Sequence, residues 1–127
     1  MNNLSDRQYA IRTVTNEKEQ LLSIARIILS LTTREGNRHN VEDRLLQMVS
    51  HLSIIAGFCD SKSKKEIEMI NEAFRRGFDL SLNAYETWYK NHLKKLLVDI
   101  LAIQVDFESK PFKISLPKID LSIFRLQ

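Results

Sequence analysis

Two side chains that can take part in acid–base chemistry lie at the ends of the stretch RLLQMVSH. Arg44 opens this stretch and His51 closes it, seven positions later. Seven residues are about two turns of an α-helix, so both side chains project from the same side of one helix. A neutral histidine can transfer a proton, and an arginine can stabilise a negative charge that develops during a reaction. The pair is therefore a candidate catalytic site.

The spacing of this pair resembles the Arg-x(4–6)-His motif of HEPN-type ribonucleases, small helical domains that dimerise to cleave RNA. The resemblance covers eight residues of the 127, and it implies that Arg44 and His51 act together in an RNA-cleaving dimer. Those enzymes usually carry a polar residue directly after the arginine, whereas this chain has Leu45. The other interpretation places Arg44 and His51 at the rim of a helix–helix contact, without a catalytic role.

The remaining residues with reactive or metal-binding side chains form no recognisable motif. The histidines His39, His51 and His92 are far apart in the chain, and Cys59 is the single cysteine. The sequence contains no glycine-rich phosphate loop and no nucleophile motif. We therefore predict no metal site and no cofactor, and an enzyme is the less favoured interpretation.

Glycine and proline are rare before residue 110, which indicates a chain that is helical over most of its length. A first helical segment runs from Ser5 or Asp6 to a stop signal at Gly36, with a break near Thr15 as an alternative. The second segment runs from Asn40 to about Cys59 and carries a heptad-like apolar seam, which is typical of helices that pack at a shallow angle. The seam consists of Val41, Leu45, Met48, Leu52, Ile55 and Cys59.

A longer apolar stripe follows Ser63, which forms the S-x-x-E pattern of a capping box with Glu66. One helix from Lys64 to Gln104 would span roughly 60 Å, which is long for a domain of this size. Gly77 supplies a break, so we predict two helices joined between residues 77 and 83, with one continuous helix as the alternative. The second part of the stripe includes Trp88, His92 and Leu96.

Half of the aromatic residues lie between positions 74 and 89. Two interpretations are open, because aromatic side chains fill helical cores and, together with arginine, also dominate protein–protein hot spots. The candidate partner-binding residues in this region are Phe74, Arg75, Phe78, Tyr85, Trp88 and Tyr89.

The C-terminal residues alternate between apolar and polar side chains, as β-strands do. We expect a helical bundle over residues 1–110 and an extended or β-hairpin-like tail over residues 111–127. A tight turn through Pro117–Lys118 is not favoured, because proline cannot adopt the positive φ of such turns. The tail is therefore expected to pack on the bundle, on a second copy or on a partner protein. Its candidate contact residues are Ile114, Leu116, Ile119, Leu121 and Ile123.

Composition limits the classes of function further. The chain is 43% hydrophobic and 28% charged, an ordinary globular balance, with a net charge of +3. Its apolar runs are too short to span a membrane, its N-terminus has no signal core, and a lone cysteine favours a reducing compartment. These features predict a cytoplasmic protein. The lysine clusters at residues 62–65 and 90–95 alternate with or adjoin acidic residues, which is typical of solvated helix faces.

The combined prediction is a mainly α-helical bundle of four to five helices with a short C-terminal tail. The favoured function is non-enzymatic binding of another protein, as in an adaptor, a regulator, or an immunity or antitoxin-type neutraliser. The alternatives are a HEPN-like RNA-cleaving dimer that uses Arg44 and His51, and a regulator that binds nucleic acid. A homodimer is compatible with each of these functions.

Overall fold

The computed structural model of the chain describes residues 3–31 and 37–116, with side chains from residue 6 onwards. Three helices come first, namely α1 (Asn3–Ser30), α2 (Arg38–Ala56) and α3 (Ser61–Phe78). A second run of helix consists of α4 (Leu82–Trp88), a π-helical segment (Tyr89–Leu93) and α5 (Lys94–Leu101), which follow one another directly. Two short strands follow, β1 (Gln104–Asp106) and β2 (Lys113–Ser115). The predicted mainly α-helical bundle with a hairpin-like C-terminal part is confirmed.

The core lies where α1 packs on α2 and α5, and where α2 packs on α3. The predicted seam is buried, since each of its six residues has an exposed fraction of 2% or less, and its last residue, Cys59, lies just beyond the end of α2. α1 contributes Val14, Leu21, Ile24, Ala25 and Ile28. The alternative of a break near Thr15 does not occur, because Val14 and Leu21 lie two turns apart on the same buried face of one helix.

The long apolar stripe is divided between α3 and α4, as predicted. α3 ends at Phe78, and α4 begins at Leu82 after its N-cap Ser81, whose hydroxyl accepts a hydrogen bond from the Ala84 N–H at 3.4 Å. Gly77 lies in the last turn of α3, where a Cβ atom would overlap the indole ring of Trp88. The missing side chain therefore lets the ring of Trp88 pack directly against the end of α3.

The start of α3 differs from the predicted capping box. Asp60 is the N-cap, and its Oδ1 accepts a hydrogen bond from the Ser63 N–H at 2.9 Å. The Ser63 hydroxyl is buried and accepts a hydrogen bond from the Ile114 N–H of β2 at 3.0 Å. The prediction that Ser63 caps the helix was wrong, because its hydroxyl oxygen instead connects α3 to the strand.

The two strands form an antiparallel pair with Val105 opposite Ile114, and the Lys110–Pro111 peptide bond between them is cis. Phe112 also pairs with the connection between α2 and α3. The Asp60 N–H donates to the Phe112 carbonyl at 2.9 Å, and the Phe112 N–H donates to the Phe58 carbonyl at 3.1 Å. Phe112 and Ile114 are buried, so the tail up to residue 116 packs on the bundle.

Candidate functional site

The candidate catalytic pair lies on the side of α2 that faces α1. His51 Nδ1 is 2.7 Å from Glu17 Oε1 of α1, and the two side chains are 18% and 13% exposed. An ionised carboxylate only accepts hydrogen bonds, so this contact is a hydrogen bond when the ring carries a proton on Nδ1. The second ring nitrogen, Nε2, remains for another partner. The arrangement can therefore transfer a proton at Nε2.

Helix packing explains why these two side chains meet. Glu17 lies between Val14 and Leu21 at helical spacing, so it stands at the edge of the buried face of α1. His51 precedes the seam residue Leu52 and stands at the edge of the buried face of α2. The sequence analysis missed Glu17, because 34 positions separate it from His51 and nothing local to either residue indicates the contact.

Arg44 is half-buried and projects from the same side of α2 as His51. The guanidinium of Arg44 forms no hydrogen bond or ion pair with the residues that the structure describes. Leu45, which takes the place of the polar residue usual in HEPN-type ribonucleases, is fully buried in the seam. An anionic group could thus bind Arg44 without first breaking an ion pair with a described residue.

A cleft of about 310 Å³ lies between the first turns of α1 and the turn that joins the two strands. Its apolar lining comes from Ala10, Phe58, Pro111 and Phe112, and its polar lining from Asp6, Arg7, Ser109 and Lys110. The backbone pairing of Phe112 fixes one wall of the cleft in place. The ring of Phe112 packs edge-on against the ring of Phe107, with centroids 5.0 Å apart. Apolar clefts with a few polar groups are typical of binding sites.

The aromatic residues predicted as a core or a partner surface lie mainly in the interior. Phe74, Tyr85, Trp88 and Tyr89 are each 3% exposed or less. Phe78 is half-buried and Arg75 is exposed. The Arg38 guanidinium lies 4.7 Å from the ring centroid of Tyr85 and donates to the carbonyls of Phe78 and Leu80. The four buried rings fit the core interpretation.

Some of the tail residues predicted to make partner contacts lie within the described part of the chain, and the others lie outside it. Ile114 is buried against the bundle, and Leu116 is half-buried beside the core. Ile119, Leu121 and Ile123 lie outside the described residues, and their contact role stays a prediction.

Cys59 is a packing residue. Burial, together with the neighbouring charge of Asp60, raises the pKa of its thiol to about 11, although Lys64 acts in the opposite direction. The thiol is therefore protonated at neutral pH, and its Sγ–H group donates to the Ile55 carbonyl at 3.3 Å. A protonated, buried thiol is a poor nucleophile.

The lysine clusters lie exposed on separate elements, one on α3 and the other on the π-helical segment and α5. Lys95 is paired with Asp99 at 3.4 Å. A nucleic-acid-binding face requires basic residues concentrated on one surface. The positions of the two lysine clusters on separate elements do not provide evidence for such a face. The described residues also contain no group of three side chains that could hold a metal ion.

Comparison with known proteins finds no family model, no curated protein and no solved structure that matches this chain. Within the described residues, none of the helices combines the length and the apolarity that a membrane crossing requires. The contacts of the chain itself are thus the basis for a functional proposal.

Proposed function

We propose that this protein binds another protein, and that the partner inserts an apolar side chain into the cleft between α1 and the hairpin. The observation that supports this function is the lining of the cleft by Phe58, Pro111 and Phe112. Its volume of about 310 Å³ is at the lower end of the range for binding pockets, roughly 300–1,000 Å³. A space of this size fits one large side chain of a partner.

The polar groups beside the cleft suit a protein partner. Arg7 is 30% exposed and pairs at 3.6 Å with Glu108, while Lys110 is exposed on the other wall. Interface hot spots commonly combine an apolar anchor in a pocket with a polar rim that excludes water. An adaptor, a regulator or a neutraliser of another protein would use such a site.

Filling the cleft tests this function. Ala10 is a half-buried residue of α1 that lines the cleft, so Ala10→Phe should occupy the space that the partner needs. Ala84→Phe, at an exposed position of α4, is the matched control. We expect the wild type and Ala84→Phe to capture the same protein from an extract of the source cells, and Ala10→Phe to lose it. Equal capture by both variants, with unchanged circular dichroism, would contradict docking in this cleft.

A second candidate function, RNA cleavage, is favoured by one specific contact, the hydrogen bond between Glu17 and His51. Nε2 of a neutral His51 would accept the proton of a 2′-hydroxyl as the 2′-oxygen forms its bond to phosphorus. The bond between phosphorus and the 5′-oxygen would then break, and the imidazolium would return the proton to that leaving oxygen, directly or through water. Arg44 would stabilise the charge on the phosphorane.

Cleavage of a fluorescent single-stranded RNA by the purified protein separates the two functions. If the second function is correct, the wild type cleaves the RNA, and His51→Ala and Arg44→Ala each abolish cleavage. His39→Ala is the matched control, because His39 is an exposed histidine on the same helix and pairs only with Glu42 among the described residues. If the protein only binds a partner, neither Arg44→Ala nor His51→Ala changes its biological activity, and no preparation cleaves the RNA.

A further inference from the structure

We infer that Glu17 is a positioning residue for His51, holding its imidazole in the tautomer that carries the proton on Nδ1. Nε2 then becomes the proton-accepting atom of the site. The catalytic part of this inference rests on the second candidate function, RNA cleavage. The tautomer is a property of the folded chain and can be measured without any activity.

The hydrogen-bonding capacity of the two groups determines which nitrogen carries the proton. Nδ1 lies 2.7 Å from Glu17 Oε1, which is a short hydrogen bond between a ring nitrogen and a carboxylate oxygen. A neutral imidazole has one N–H group, and an ionised carboxylate can only accept. The opposite tautomer would place the lone pair of Nδ1 against the carboxylate, which is repulsive. The Nδ1–H form is therefore strongly favoured.

The surroundings of the pair strengthen this preference. Glu17 and His51 are only 13% and 18% exposed, so water competes weakly for the hydrogen bond. The two residues lie on different helices, and the packing of α1 against α2 fixes the distance between them. The ring is thus held in position as well as in protonation state.

The consequence for chemistry follows from the shape of imidazole. Nε2 lies on the edge of the ring away from Nδ1, so it points away from Glu17. Arg44 projects from the same side of α2, about 10 Å along the helix axis at 1.5 Å per residue. A phosphodiester that contacts both Arg44 and Nε2 of His51 would meet a ring nitrogen that is already an acceptor.

Nuclear magnetic resonance of the imidazole nitrogens tests the tautomer directly. At a pH where the His51 ring is neutral, wild-type His51 should show a protonated Nδ1 and an unprotonated Nε2. The signals of His51 are identified by their loss in His51→Asn. A wild-type His51 with its proton on Nε2 would overturn the inference.

Replacing Glu17 by glutamine provides a sharp comparison, because the side chain keeps its size while its amide can donate as well as accept. We expect Glu17→Gln to lower the Nδ1–H population of His51, and Glu19→Gln, at an exposed position of the same helix, to leave it unchanged. Equal tautomer populations in the wild type and Glu17→Gln would overturn the role of Glu17.

Measuring kcat and KM for RNA cleavage separates the positioning role of Glu17 from the second candidate function. If the wild type cleaves RNA, Glu17→Gln should lower kcat at least tenfold with little change in KM, because it affects the base and leaves Arg44 in place. Unchanged kcat in Glu17→Gln would overturn the positioning role. A wild type that cleaves no RNA would remove the second candidate function, and with it the catalytic part of the inference, whatever the tautomer.

Discussion

At the scale of single residues, two neighbouring buried tyrosines have hydroxyl groups in opposite situations. The Tyr89 hydroxyl donates to the Ile28 carbonyl at 2.9 Å and lies 3.3 Å from the Leu31 carbonyl, so it ties the π-helical segment to the end of α1. The Tyr85 hydroxyl is buried and has no hydrogen-bond partner among the described residues. Burial raises the pKa of both groups.

Removing each hydroxyl should therefore have a different effect on stability. We expect Tyr89→Phe to lower the free energy of unfolding by about 0.5–1.5 kcal/mol, because a buried hydrogen bond is lost. Tyr85→Phe should leave stability unchanged or raise it slightly, because it removes a buried polar atom that lacks a described partner. Urea unfolding followed by circular dichroism measures both. Equal losses of stability in the two variants would contradict this difference.

The effect of substituting Gly77 on stability depends on the ring of Trp88, which packs against it. Alanine usually stabilises a helix relative to glycine by about 1 kcal/mol. At Gly77 the added Cβ atom would overlap the indole, so we expect Gly77→Ala to lower the free energy of unfolding by about 1–3 kcal/mol instead. Gly57→Ala should cost less, because its nearest neighbour is the Ile54 carbonyl oxygen at 3.3 Å.

A double-mutant cycle with Trp88→Leu tests whether overlap with the indole causes this loss of stability. Trp88→Leu removes the ring atoms that the new Cβ atom of Gly77→Ala would meet. In that background Gly77→Ala should cost markedly less than in the wild type. A cost that stays the same would show that Trp88 is not responsible.

At the scale of secondary-structure elements, the seam of α2 was predictable because its residues alternate three and four apart along a single helix. The π-helical segment was not. The predicted stripe ran from Trp88 through His92, whereas Leu93 is fully buried and His92 only half-buried. The wider turn changes the register locally, so that Leu93 takes the buried position predicted for His92, whereas Leu96 is buried as predicted. A pattern based on a constant helical period cannot anticipate that shift.

The N-terminus of α3 should make stability depend on pH. Hydrogen bonds from the backbone N–H and then the side chain of Ser63 favour the charged carboxylate, and so they hold the pKa of Asp60 below its ordinary value. A lowered pKa in the folded state means that the stabilisation is present at neutral pH and is lost as the pH falls. The melting temperature of the wild type should therefore decrease between about pH 5 and about pH 3.

Asp60→Asn isolates this contribution, because asparagine still caps a helix but does not titrate in this range. The same scan with Asp60→Asn should show a shallower decrease. Asp106 also has a lowered pKa, caused mainly by a hydrogen bond from the Ser109 side chain, but it is present in both proteins and cancels in the comparison. Parallel curves would show that Asp60 contributes no pH-dependent stability.

At the scale of the whole molecule, contacts between residues far apart in the chain could not be predicted from the sequence. The alternating pattern after Pro111 predicted an extended segment, but its partners were not predictable. β2 pairs with β1, while Phe112 pairs with the connection between α2 and α3 and Ile114 bonds to Ser63. The same limit applies to the candidate site. The spacing of Arg44 and His51 could be read from the sequence, whereas the contact of Glu17 with His51 could not.

Paired truncations test how the C-terminal part contributes to folding and to binding. Ending the chain after Leu116 retains both strands, so we expect the melting temperature and the helical circular dichroism signal to stay close to those of the full chain. Ending it after Lys110 removes Phe112 and Ile114 from the core and removes the partner of the Ser63 hydroxyl. Loss of one large core side chain costs about 3–5 kcal/mol, so this shorter chain should melt well below the other.

The two truncated chains also separate folding from assembly. Residues 117–127 carry the apolar positions that we predict to make contacts, and an apolar alternating segment left uncovered favours association with other chains. Light scattering and partner capture should therefore differ between the full chain and the chain ending at Leu116, although their stabilities match. If the chain ending at Lys110 melts like the full chain, the hairpin is dispensable for the bundle. If the chain ending at Leu116 melts far below the full chain, residues 117–127 stabilise the fold itself.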